Sequence, residues 1–398
     1  MPNNDLAGLR VIELARVLAG PWAGQSLSDL GADVIKVESP AGDETRRWGP
    51  PFVHDADGNN MGAAYFHSCN RGKRSVVADL NTEAGRDLVN RLLSTADVLI
   101  ENFRVGSLTK FGLDYQSVKA LNSRLIYCSI TGFGQTGPYA QRPGYDFIIQ
   151  GMSGMMDLTG EPDGAPQKIG VALADILTGL YSVIGIQNAL LERQQSNRGC
   201  HLDMALFDSM VGVLANQALN YFTTGHAPRR MGNAHPNISP YEVFPTADSE
   251  LVIAVGNDQQ FLSLCEVLEL EEYANSTEYE SNEKRVASRA TLSALITERT
   301  SSWQRDALLR KLLALDVPAG PVSNVQEVFE DPQVRHRGMA IALDFEAAQT
   351  AVGGTPLMGV RTPIVKDGEF LYTARRAPAL GEHTQEILRE LSSTTARD

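Results

Sequence analysis

The first 130 residues predict an α/β fold with a mostly parallel sheet covered on both faces. Three observations carry that expectation. Short runs rich in Val, Ile and Leu alternate with stretches whose apolar residues recur at helical spacing. Those runs are apolar almost throughout, as strands buried on both faces require. Gly or Pro also punctuates most junctions, which keeps the connections short.

Residues 9–14 read as the first strand. Pro21 stands near the start of a helical stretch carrying Trp22, Leu27 and Leu30, and Gly31 ends it. Residues 33–38 form a second strand and 75–80 a third. The helix expected over 82–94 puts Leu88, Val89, Leu92 and Leu93 on one face. Residues 97–101 and 124–130 supply further strands around a helix near 115–121. Then the pattern changes. Long helical stretches are expected over 172–193 and 203–222, followed by a loop of Gly, Asn, His and Pro over 225–240. A strand (251–255) and helix (260–268) begin what reads as a smaller α+β unit. Charged helices over 280–318, short strands within 359–372 and a final helix over 384–391 complete the chain. The expected partition is a large domain over 1–224, a small domain over 225–325, and a return to the large domain over 326–398.

The 398 residues carry 48 acidic and 35 basic side chains, a net charge of −13. That balance repels phosphate backbones and anionic lipid, so nucleic-acid and membrane partners are not expected. Four separated cysteines without CxxC spacing read as reduced thiols. With no basic-then-apolar leader and no run of about 18 apolar residues, a soluble cytoplasmic protein is expected.

Most motif readings are structural. Gly132-Phe133-Gly134-Gln135-Thr136-Gly137 has dinucleotide-type spacing after a strand, but Pro138 and Pro143 prevent the helix that such a site needs. It is read as a glycine turn. Gly151-Met152-Ser153-Gly154 lacks the spacing of a hydrolase elbow, and the seven histidines form no HExxH, so no metal site is expected. Asp175 is the residue of interest. It opens a long apolar helix, where an aspartate is either an N-cap or a nucleophile kept ionised by the helix dipole. Gly170 and Gly179 beside it offer a close approach to a ligand. Asn70-Arg71-Gly72-Lys73-Arg74 and Asn102-Phe103-Arg104 with Lys110 flank strand ends, where open α/β sheets bind ligands.

Taken together, Ala15 to Pro21, Gly31 to Glu38, Lys73-Arg74-Ser75, Glu101-Asn102-Phe103, Gly132-Phe133-Gly134, Gly144-Tyr145-Asp146, the Asp175 segment and Gly381-Glu382-His383-Thr384 resemble the class III CoA-transferases. That is the family of formyl-CoA transferase and carnitine CoA-transferase. The resemblance implies a large Rossmann-like domain plus a smaller α+β domain in an interlocked homodimer. It implies acyl-CoA as substrate, small carboxylic acids as partners and no metal. Its catalytic aspartate falls on Asp175, which would form an aspartyl anhydride and then an aspartyl–CoA thioester. Its CoA contacts fall on Val17, Leu18, Ala19, Leu80, Asn102, Phe103, Arg104, Lys110, Tyr145 and Asp146.

Two departures follow. Ser39 and Asn81 stand where the resemblance places an Arg and a Lys, so Lys73, Arg74 or Arg46 would replace them. The segment 231–241 and Gly256 to Phe261 look like the dicarboxylate branch, the succinyl-CoA:glutarate type, with Arg46, Arg230 and His235 as carboxylate contacts. Two alternatives are a 2-methylacyl-CoA racemase, which requires a His where Tyr145 stands, and a non-catalytic acyl-CoA-binding protein. The anionic CoA in a −13 chain yields one sharp expectation. Lys73, Arg74, Arg104 and Lys110 should converge on one cleft mouth.

Overall fold

Six parallel strands form the main sheet in the computed structural model, which describes residues 5–55, 57–344 and 356–394. In chain order the first part runs β1 (Arg10–Glu13), α1 (Ala19–Asp29), β2 (Asp33–Glu38), the hairpin β3 (Phe52–His54) and β4 (Asn60–Ala63), and α2 (Ala64–Ser68). It continues through β5 (Arg74–Val77), α3 (Glu83–Ser94), β6 (Val98–Glu101), α4 (Tyr115–Leu121) and β7 (Ile126–Thr131). Then come α5 (Asp146–Met152), α6 (Met155–Leu158), α7 (Leu173–Ser196), β8 (His201–Ala205) and α8 (Leu206–Gly212). The sheet order is β5-β2-β1-β6-β7-β8. The chain winds outward from β1 to β5, then restarts on the other side of β1 with β6. That reversal opens a crevice at the carboxyl ends of β1 and β6.

Strand side chains alternate between two cores. Val11, Val34, Val98, Ile126 and Cys128 pack under α1 and α7. Ile12, Ile35, Val76, Leu99 and Tyr127 pack under α3, α4 and the final helix, Thr384–Thr394. The α3 face is as expected: Leu88, Val89, Leu92 and Leu93 are buried, each contributing about 1.5–3 kcal/mol. Thr82 caps α3, its hydroxyl accepting the Gly85 N–H at 3.0 Å.

The helix expected over 203–222 is a correction. The alternating run His201–Ala205 pairs with β7 as the sixth strand, and helix resumes only as α8 and α9 (Ala215–Thr224), broken at Ala215, whose φ is +44°. Helical periodicity in the flanking residues masked a five-residue edge strand. α7 is long and apolar enough to cross a membrane. Its Ala174, Val183, Ile186 and Ala189 instead lie in the core with α1 and β7.

The chain separates into two compact units: Met1–Met155, Ile169–Ala218 and Pro332–Asp398 form one, and Met156–Lys168 with Leu219–Asp331 the other. The excursion 156–168 lies outside the expected small domain. It is tied there by the Gly232 N–H donating to Gly160 O at 3.1 Å and by Arg230 donating to Asp157. The second unit has the antiparallel sheet β11-β10-β9, from β9 (Tyr241–Pro245), β10 (Glu250–Ala254) and β11 (Ala319–Pro321). Phe244, Leu251, Phe261, Ile296 and Leu308 form its core.

Candidate active site

The crevice at the sheet reversal holds a cavity of ≈ 240 Å³. Its walls are the loop after β1 (Arg16 to Ala19), the turn after β6 (Asn102 to Val105), the end of β7, the segment 140–145 and Asp175. The two loops are stapled together. Asn102 accepts the Arg16 N–H at 2.9 Å and donates from Nδ2 to Arg16 O at 2.7 Å. Val17 adopts φ +70°, a left-handed conformation costly for a β-branched residue, so the surroundings must impose it.

Those surroundings are a buried charge cluster. Lys36 Nζ donates to Glu13 Oε1 (3.0 Å) and Ala15 O (2.9 Å) and pairs with Asp43 Oδ2 (3.0 Å). Lys73 Nζ reaches Glu13 (2.8 Å), Pro21 O (2.8 Å) and Asn70 Oδ1 (2.8 Å). Asp43 also accepts the Val17 N–H at 3.4 Å.

Asp175 is the third residue of α7. The N-cap reading fails: Ala172 is the cap and makes no side-chain bond. The first-turn Ala174 N–H instead donates to Asp146 Oδ1 at 2.8 Å, while Asp146 Oδ2 accepts from Gln150 at 2.8 Å. Among the described residues no cation pairs with Asp175. Burial, with the Asp146 charge adding to it, pushes its carboxyl up to about 7. Desolvation is the larger cause of that rise, so the helix N-terminus alone does not hold Asp175 in the ordinary carboxylate range.

Gly179 does not open a ligand path. A Cβ there would meet Ala19 O at 2.7 Å, so this glycine lets α7 press against α1. Gly132 and Gly144 cross backbone to backbone, a Cβ on Gly132 meeting Gly144 Cα at 2.6 Å. The Gly132–Gly137 motif is thus a structural turn, and it holds the cavity wall at Gly144-Tyr145 beside β7.

The expected convergence of cations does not occur. Lys73 is fully buried within the cluster. Arg74 is locked to Asp33 (2.6 Å), Glu386 (2.8 Å) and Glu390 (2.6 Å), pinning the final helix to β2 and β5. Arg46 makes a bidentate pair with Glu38 (2.9 and 2.7 Å), with its guanidinium 3.7 Å above Phe66. All three are structural, because a run of cations in sequence says nothing about which strand face each one meets. Of the four expected cations only Arg104 lines the Asp175 cavity, its Nη2 donating to Gln141 O at 3.0 Å. Lys110 lies over the Phe111 ring at 4.6 Å.

Two lining cations were missed. Arg16 pairs with Glu44 at 2.8 Å. Arg142 stacks over Tyr139 at 3.8 Å and has no carboxylate partner among the described residues. Its signal was present, a cation between the two prolines that exclude a helix, but it served only to argue against a dinucleotide site. Phe103 and Arg16 also border a second cavity (≈ 220 Å³) that includes Leu80, Ser39 and Asn81. The residues Val17, Leu18, Ala19, Asn102, Phe103, Arg104 and Tyr145 therefore share one cavity with Asp175, and Leu80 lines its neighbour. Arg230 and His235 lie in the other unit. There Arg230 is paired with Asp157 at 2.7 Å, and His235 Nδ1 accepts the Asn237 N–H at 3.1 Å.

Comparison with known proteins places the chain in a family. The family model described as CoA-transferase family III matches residues 6–384. A succinate–glutarate CoA-transferase of Agrobacterium fabrum is 56% identical over 396 residues, covering 99% of this chain and 98% of that protein. The succinyl-CoA:glutarate CoA-transferase of Homo sapiens is 38% identical over 97% of this chain and 86% of that protein. The crystal structure of a CAIB/BAIF family protein from Brucella suis is 58% identical, covers 98% of this chain and all of that one, and superposes with a TM-score of 0.86. A parallel sheet with a carboxylate at its crevice, matched end to end in sequence and fold, makes this chain a member of CoA-transferase family III.

Proposed function

We propose that this enzyme moves coenzyme A between dicarboxylic acids, with succinyl-CoA as donor, and that Asp175 is the nucleophile. The observation that carries the proposal is the Asp175 carboxylate itself. Among the described residues no cation neutralises this cavity-lining carboxylate, and its helix-capping task is performed by Asp146. Such a group is expensive to keep unless it reacts.

The chemistry follows from the group. Asp175 Oδ attacks the thioester carbonyl, the C–S bond breaks, and CoA thiolate leaves from a mixed anhydride. The thiolate then attacks the aspartyl carbonyl; the anhydride C–O bond breaks, releasing the donor carboxylate and leaving an Asp175–CoA thioester. An acceptor carboxylate attacks that thioester, and the displaced thiolate attacks the acceptor's carbonyl in the new anhydride, restoring free Asp175. Covalent catalysis divides one difficult exchange into steps of similar energy, because every intermediate is an activated acyl group.

CoA is placed by this reading along Phe103, from the Asp175 cavity towards Leu80, with Arg16 and Arg104 facing its phosphates in place of Lys73, Arg74 and Arg46. A dicarboxylate is supported by Arg142, a guanidinium over the Tyr139 ring with no carboxylate partner among the described residues, and by the substrates that the names of the two relatives state. A paired assembly belongs to the same proposal; it would cover the exposed apolar side of α7, where Leu180, Tyr181, Ile184 and Leu191 face outward.

The test is chemical. After incubation with succinyl-CoA and quenching with hydroxylamine, peptide mass mapping should find a hydroxamate on Asp175, and glutarate should exchange faster than butyrate. No adduct on Asp175, with exchange that survives in Asp175→Ala, would sink the proposal.

A further inference from the structure

One buried carboxylate next to this site has no part in the chemistry above. Glu101 ends β6, is only 4% exposed, and pairs with no cation among the described residues. Its Oε2 accepts the Phe103 N–H at 2.8 Å, two residues on. Its carboxylate also bonds the hydroxyl of Ser129. The hydroxyl in turn lies 2.9 Å from His201 Nε2. Strand register explains the alignment: Glu101 faces Ser129 across β6 and β7, and Tyr127 faces His201 across β7 and β8, so all four share one sheet face. The imidazole is clamped, stacked on Tyr115 at 4.8 Å and edge-on to Tyr127 at 5.3 Å. Together these groups line a cavity of ≈ 320 Å³ that shares Phe103 and Arg104 with the Asp175 cavity.

We infer that Glu101, Ser129 and His201 are positioning residues for acyl-CoA: a carboxylate–hydroxyl–imidazole string that fixes the Asn102-Phe103-Arg104 turn through the Phe103 N–H. This rests on the reading that CoA lies along Phe103. The turn carries both the ring and the guanidinium assigned to the ligand, and Asn102 transmits its position to the loop at Val17. An ionised Glu101 accepts from Phe103 and Ser129 at once, with the added strength of a charged acceptor. A protonated Glu101 must turn one oxygen into a donor, which weakens its hold on the turn.

The remaining charged or titratable groups facing Glu101 are few. They are Tyr127 from β7, Asp203 from β8, Asp114 and Tyr115 at the start of α4, and Arg104 in the turn, while Cys128 lies behind them on the opposite sheet face. Glu13 on β1 is already engaged by Lys36 and Lys73. Burial pushes the Glu101 carboxyl up to about 7, against the pull of Ser129 and the Phe103 N–H. CoA binding should therefore tighten as pH rises through neutrality.

The test measures CoA affinity by calorimetry in full-length Asp175→Asn protein, where no turnover intervenes, from mildly acidic to mildly alkaline pH. Glu101→Ala should weaken CoA about tenfold, the loss of one charge-assisted hydrogen bond. Glu101→Gln, which still offers the Phe103 N–H an acceptor, should bind within about threefold of the parent, yet without its share of the pH dependence. His201→Gln should shift the midpoint of that dependence. Parent-like affinity and pH dependence in both Glu101 variants would overturn the inference. If Glu101→Ala does not fold, Glu101→Gln decides alone: an unchanged pH profile overturns, a flattened one supports. A parent protein that binds no CoA at any pH overturns the function proposed above and this inference with it, an outcome distinct from normal binding that Glu101 does not affect.

Discussion

Two sets of charge lie on either side of the loop from Ala15 to Ala19, and they differ in how completely they are paired. Beneath it, Lys36 donates to Glu13 and Ala15 O and pairs by charge with Asp43, and Lys73 donates to Glu13, Pro21 O and Asn70, so each buried cation has a carboxylate within ion-pair distance. In the cavity, among the described residues, Asp175 faces Asp146 and no cation, while Arg142 faces no carboxylate. The buried set is charge-paired and closed to solvent, so its task is to hold the strained Val17 loop. Asp175 and Arg142 have no such counter-ion among the described residues, which leaves both open to a ligand. Pairing, not charge density in sequence, separates scaffold from site.

The largest effect expected from this difference is at Asp175. Asp175→Asn should lower kcat about a thousandfold or more, since a carboxamide cannot serve as the nucleophile. CoA affinity should stay within about threefold, because the cavity walls are unchanged. The same variant should melt at a higher temperature than wild type above neutral pH, where the buried carboxylate is charged and repelled by Asp146. A stability loss on removing Asp175 would break the comparison, for it would mean the group is structurally satisfied after all.

Next in size is Lys73. Lys73→Met leaves part of the Glu13 charge unpaired in the core and should cost about 3–5 kcal/mol in denaturant unfolding. Below the melting temperature the surviving folded protein should keep kcat within about threefold. Adding Glu13→Gln should recover part of the loss, since the two residues form one network. If Lys73→Met were as stable as wild type but bound CoA about tenfold more weakly, Lys73 would belong with the ligand-facing cations and the division drawn above would fail.

The sequence made the sheet readable because its strands are short apolar runs bounded by Gly, Pro and caps; Asp33–Glu38 and Tyr115–Leu121 fall where periodicity puts them. The strand His201–Ala205 was not readable, because an amphipathic edge strand flanked by helices offers no run of its own. Asp175 was legible through family resemblance and its place at a helix start. Its protonation was not, since Asp146 lies 29 positions earlier and reaches the same helix end only in three dimensions. The cations Lys73, Arg74 and Arg46 were misread for the same reason: Glu13, Asp33 and Glu38, their partners, lie on neighbouring strands. Arg16 and Arg142 carried the opposite error, being isolated in sequence and close in space.

A smaller and finer test uses acid to titrate both sets in one experiment. On the proposed mechanism Asp175 must be ionised to attack, and burial with the Asp146 charge pushes its carboxyl up to about 7. kcat/KM should then fall about tenfold per unit as pH drops below neutrality. The carboxylates of the scaffold move the other way. Burial raises Glu38 and Asp43, but the Arg46 bonds and Lys36 charge on Glu38, and the Lys36 charge and Thr45 bonds on Asp43, outweigh it and hold both below the ordinary carboxylate range. A depressed carboxylate contributes stability above its unfolded value and loses it only as pH falls through the folded one. Between the ordinary carboxylate range and neutrality, the enzyme should therefore lose activity reversibly with the Glu38 and Asp43 contribution to stability intact, while protonation of Asp175 closes the gap in melting temperature between wild type and Asp175→Asn. Glu101 titrates in the same window but acts on binding, so the kcat/KM limb should persist in Glu101→Gln. Activity and melting temperature falling together with pH would show that the two sets of charge are coupled, not divided between scaffold and site.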